Sequence, residues 1–111
     1  MKSLNLTDNE KDALCELTTS LKTDWPTVKL VVFGSKAKGL ADEESDLDLL
    51  ILLPCTITEN VRRLVIEEVF NINLKYGSNI SSLIVTEDEW NKGKISILPI
   101  HDFIEEEGIP V

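Results

Sequence analysis

Basic residues are scarce: eleven Lys and Arg stand against twenty Asp and Glu, for a formal net charge of -9. A surface so acidic repels a phosphate backbone at long range, which disfavours direct nucleic-acid binding. A bound cation could still dock a single triphosphate locally. Cysteine is nearly absent. Cys15 and Cys55 are far apart and form no CxxC pair, so both read as reduced, partly buried thiols of a cytoplasmic protein, without a redox or zinc role. The lone histidine, His101, reads as a surface or capping residue. The longest apolar run, Leu47 to Leu53, is interrupted by Asp48 and is too short to cross a membrane. No charged-then-apolar leader opens the chain. Repeats, low-complexity tracts and linkers are missing too.

What remains is ordinary globular material. The 111 residues are 42% hydrophobic and 28% charged, which predicts one compact domain over residues 1–111 with a real core. Thr7 with Glu10 three residues on forms a capping box, and Leu14, Leu17, Leu21 and Trp25 follow at helical spacing. Pro26 ends that helix near Thr23 to Trp25. Lys29 to Phe33 reads as a buried strand and Asp46 to Leu53 as a second, apolar on both faces and therefore central in its sheet. Thr58 caps a helix from Glu59 to Tyr76 that Gly77 terminates. Its apolar stripe is Val61, Leu64, Val65, Val69 and Ile72, widened by Ile66 and Phe70. Ile80 to Thr86 is a third strand, and Glu87 to Asn91 can form a helical turn. A final helix spans Leu98 to Glu107, with Glu105, Glu106 and Glu107 on a solvated face. Trp25 and Trp90 read as packing residues. Leu98, Ile100, Phe103 and Ile104 could leave apolar surface for an interface. The fold class is α+β with α/β-like layering: a small mixed sheet with helices packed on it.

The informative stretch is Phe33 to Leu53, FGSKAKGLADEESDLDLLILL. The connector between the first two strands is too short for a crossover, so the pair is antiparallel. That puts Gly34-Ser35, leaving the first strand, beside Asp46 and Asp48, entering the second. Alternation makes the two carboxylates face the same way, with Cα atoms about 6.6–6.8 Å apart. They repel one another unless a divalent cation sits between them, and Mg2+ suits such oxygen ligands while leaving sites for substrate phosphates. Glycine permits close approach of a phosphate to the backbone, and Ser35 can open a short turn whose N–H groups face an anion. Lys36 and Lys38 are the nearby positive charges and candidate phosphate contacts. Competing phosphate motifs fail: Gly34 and Gly39 have P-loop spacing, but Leu40-Ala41 stand where Lys-Ser/Thr is required.

Gly34-Ser35, ten intervening residues and Asp46-Leu47-Asp48 resemble the signature of the DNA polymerase β-like nucleotidyltransferase superfamily. The stretch GSKAKGLADEESDLDLLI is similar to its minimal, single-domain members, often antitoxin-like partners of small helical proteins of the HEPN type. The resemblance implies transfer of a nucleoside monophosphate from a nucleoside triphosphate, ATP foremost, to an acceptor hydroxyl. It implies Asp46 and Asp48 as catalytic metal ligands in a two-ion Mg2+ site. Gly34 and Ser35 would bind the triphosphate, with Lys36 and Lys38 beside them. The acceptor could lie on a partner protein, and homo- or hetero-oligomers are compatible with it. Active relatives carry a third carboxylate on a later strand. Here that strand, Ile80 to Val85, contains no acid, and Glu87 and Asp88 come only after it. One of these acids could substitute, or the chain is a weakly catalytic nucleotide-binding module.

Overall fold

The computed structural model describes residues 6–38 and 46–111. Thr7 caps α1 (Asp8–Asp24): its hydroxyl accepts from the Glu10 amide, and the Glu10 carboxylate accepts from the Thr7 amide. The expected capping box is therefore present. Strand β1 (Lys29–Phe33) follows, then one helical turn, α2 (Ser35–Lys38). Next come β2 (Leu47–Leu53), α3 (Glu59–Tyr76) and β3 (Ile80–Thr86). The short helix α4 (Glu87–Lys92), a 3-10 turn (Lys94–Ile97), α5 (Pro99–Glu107) and a two-residue strand, β4 (Ile109–Pro110), complete the chain.

The four strands lie in the order β3-β2-β1-β4. β1 and β2 are antiparallel, with Phe33 opposite Asp48. β2 and β3 are parallel, with Leu47 opposite Ile80 and Leu53 opposite Thr86. β4 closes the other edge antiparallel to β1. The sheet is thus mixed, and β2 is central, as its two-sided apolarity requires. Leu47, Leu49, Ile51 and Leu53 point to one face and pack with Leu14, Leu17, Val65 and Ile72 of α1 and α3. Leu50 and Leu52 point to the other face and pack with Val85, Trp90 and Ile104. Fully burying side chains of this size contributes roughly 1.5–3 kcal/mol each.

Several expectations meet corrections. The α3 stripe is narrower than its sequence suggests: Val65, Val69 and Ile72 are buried, while Leu64, Ile66 and Phe70 are half exposed or more. A helix lying on one sheet face buries only part of its circumference, and here α1 and the sheet use that part up. Of the four apolar residues expected at the surface of α5, Ile104 is buried and Leu98, Ile100 and Phe103 are exposed. Glu105 is not merely solvated, because it accepts the Trp90 indole N–H at 2.6 Å. Cys15 is exposed rather than partly buried. Among the described residues no helix is long and apolar enough to cross a membrane.

Candidate active site

Gly34 leaves β1 with φ +78°, a backbone conformation that L side chains adopt only at a cost. A Cβ placed there would collide with the Asp48 carboxylate. The turn and the acid are therefore in direct contact across the β1–β2 edge. That is the juxtaposition the antiparallel pairing predicts, and Phe33 opposite Asp48 supplies the register. Ser35 opens α2 immediately afterwards and is half-buried.

Asp46 stands just before β2 and is exposed, and Asp48 is half-buried within it. Parity along the strand puts Asp48 on the same face as Leu50 and Leu52, the face that α4 and α5 cover farther along. The Asp48 carboxyl is held above the ordinary carboxylate range, first by burial and then by repulsion from Asp46. Two acids on one edge, one of them resisting ionisation, form a donor set that a divalent cation fits: oxygen ligands and excess negative charge. Among the described residues there is no group of three or more potential metal ligands.

Sequence reasoning missed Asn79. The parallel β2–β3 register places it beside Asp46, its side-chain amide donates to Asp46 Oδ1, and its carbonyl accepts from Leu47 N at 3.0 Å. The available signal was α3 itself. A long helix between two neighbouring strands implies a parallel pair, and in a parallel pair the residue before β3 adjoins the residue before β2. Ser81, one step further, pairs directly with Asp48 and is exposed. It occupies the place on β3 where a third carboxylate would face the first two.

The same register removes Glu87 and Asp88 as substitutes. They follow the C-terminal end of β3, whereas Asp46 and Asp48 lie at the N-terminal end of β2. A strand of this length separates them by roughly 20 Å. Glu87 instead pairs with Lys29 at 3.3 Å, at the far end of the sheet.

Lys36 also departs from expectation. It was a candidate phosphate contact, yet its side chain is only 1% exposed and its ammonium lies 3.1 Å from Glu10 Oε1. Successive residues of a helical turn can share one side of it, and Lys36 and Ala37 both turn inward and are buried. The side chain of Lys38 lies outside the described residues, as does the connector 39–45.

Comparison with known proteins identifies the family. Residues 14–110 match the model of the nucleotidyltransferase domain family. Two proteins of Methanocaldococcus jannaschii, each named "Putative protein adenylyltransferase", are similar to the chain. One is 34% identical over 86 residues, covering 76% of this chain and 81% of the relative. The other is 34% identical over 77 residues, covering 64% and 78%. With the four-stranded mixed sheet, the helices packed on it and the glycine turn against paired aspartates, these matches identify the chain as a minimal nucleotidyltransferase of the DNA polymerase β-like kind.

Proposed function

We propose that the protein transfers a nucleoside monophosphate, AMP foremost, from a nucleoside triphosphate to a hydroxyl group on a protein, with the hydroxyl oxygen bonding the α-phosphorus as pyrophosphate leaves. The observation that carries this reading is the packing of the Gly34 turn directly against the Asp48 carboxylate. One edge of the sheet thereby offers close backbone approach for phosphates and acidic oxygens for a cation. Asp46 and Asp48 would hold Mg2+, which when bound neutralises triphosphate charge and stabilises the attacking and leaving oxygens. Gly34 and Ser35 would seat the triphosphate against the start of α2. Asn79 would keep Asp46 oriented. The protein's contribution is placement of charge and substrate. A protein acceptor is supported by the names of the two relatives and by the exposed Ile66, Phe70 and Leu74 along α3, which offer docking surface for a helical partner.

Isothermal calorimetry with ATP, with and without Mg2+, tests the reading. Wild-type protein is expected to bind in a magnesium-dependent way, and Asp46→Asn/Asp48→Asn is expected to lose that binding. Equal binding by both proteins, or none by the wild type, overturns it.

The vacant third-acid position makes a gain-of-function prediction. Ser81 pairs with Asp48 and faces the same side of the sheet. Ser81→Asp is therefore expected to tighten divalent-cation binding on the order of tenfold, because one more carboxylate joins the donor set. Titration with Mn2+ followed by paramagnetic resonance reads this directly. Unchanged affinity would mean that Ser81 does not face the cation position.

A further inference from the structure

We infer that Glu10 and Lys36 form a positioning pair that locks the Gly34-Ser35 turn in the geometry a triphosphate needs, an inference that rests on nucleotide binding at that turn. Glu10 and Lys36 are the buried charged residues among those described, at 6% and 1% exposure. Burying an ammonium and a carboxylate carries a desolvation cost that an apolar pair of similar volume avoids, so stability alone does not call for charges here. What an ion pair adds is direction: each partner tolerates few placements of the other.

Glu10 is unusually well fixed for that purpose. It is the third residue of α1 and closes the capping box, so one carboxylate oxygen accepts both the Thr7 amide at 3.0 Å and the Lys36 ammonium at 3.1 Å. The other side of the pair needs such an anchor. α2 has four residues, far fewer than a helix requires to hold itself together in water. Its register therefore depends on what Lys36 and Ala37 grip. Lys36 directly follows Ser35, so fastening its ammonium to α1 also fixes the Ser35–Lys36 peptide and the N–H groups that open α2. Lys36 thus serves the nucleotide from beneath the turn.

Three proteins test this: wild type, Lys36→Arg, and the double variant Glu10→Met/Lys36→Met, which removes both charges together. Thermal melting of the double variant is expected to stay within a few degrees of wild type. Its affinity for ATP with Mg2+ is expected to fall about tenfold, and its affinity for magnesium tripolyphosphate to fall by the same factor. Amide exchange over Ser35–Lys38 is expected to quicken. Lys36→Arg, which preserves the pair, should stay within about threefold of wild type. A folded double variant that binds both ligands as wild type does overturns the inference and leaves the nucleotidyltransferase reading standing. No binding by the wild type overturns both. Should the double variant not fold, Glu10→Gln keeps the side-chain size and the acceptor for Thr7 N–H. In that variant unchanged affinity and exchange overturn the inference, and a loss of both supports it.

Discussion

Replacing Asp48 with Asn is expected to lower nucleotidyl transfer on the order of 10³-fold while making the cation-free protein more stable than the wild type. The two effects share one cause. Asp48 is half-buried beside Asp46, and burial followed by that repulsion raises its folded-state pKa. A raised carboxylate pKa means that the folded state binds the proton more tightly than the unfolded state does. Ionisation at neutral pH therefore costs the fold stability. The cost is fully present above the raised folded value, shrinks as pH falls through it, and is gone below the ordinary carboxylate range. Asn carries no charge at any pH and escapes the cost. In the absence of divalent cation at pH 7 the variant should melt roughly 1–2 °C higher, the scale of a few tenths of a kcal/mol in a domain of this size. The gap should close on acidification. Adding Mg2+ should reverse the order, because only the wild type gains a bound ion. A cation-free variant that melts lower than wild type would show that Asp48 acts chiefly as a structural hydrogen-bond acceptor.

This trade explains why the acidic edge was legible in the sequence before any fold was. Stability alone does not favour two carboxylates at alternate positions opening an otherwise apolar strand. Strand parity and a short connector were enough to bring Gly34-Ser35 to Asp46 and Asp48, and the register of Phe33 with Asp48 matches that expectation. The central place of β2 followed from the same residues, since Leu49 and Leu50 are both buried and face opposite ways.

What was not legible depended on contacts between residues distant in sequence. Nothing near Lys36 hints that its partner is Glu10, because that pairing exists only once α1 is laid under the turn. A lysine between a serine and an alanine reads as solvent-exposed, and a phosphate contact is the natural guess. The width of the α3 stripe was similarly hidden: Ile66 and Phe70 are as apolar as Val65 and Val69, and only the sheet decides which are covered. Strand β4 is two residues long and includes Pro110, too short for any alternation to register. The position of Glu87 is a different case. The helix between β2 and β3 already implied parallel strands, and parallel strands put residues following β3 at the opposite end from Asp46 and Asp48. That inference required only the order of elements.

Gly34→Ala is expected to lose ATP binding by at least about 100-fold, and Gly77→Ala to lose none. The two glycines share the left-handed region, at φ +78° and +64°. Alanine at either position therefore pays a backbone penalty, about 1 kcal/mol once the stiffer unfolded chain is allowed for. The surroundings differ. Gly77 ends α3 as its C-cap, and an added Cβ meets nothing within 4 Å. Its variant should lose several degrees of melting temperature and keep the site. At Gly34 the added methyl strikes the Asp48 carboxylate, so either the turn lifts away from β2 or Asp48 rotates out of its place beside Asp46. Each movement separates the backbone proposed to bind phosphate from the proposed cation ligands, and 1 Å is enough to matter when positioning is the main contribution to catalysis. Calorimetry with ATP and Mg2+ on both variants, alongside their melting curves, separates the terms. Equal loss of stability with unequal loss of binding assigns Gly34 to the site. Equal binding in both would mean that the contact between turn and aspartate has no part in holding nucleotide.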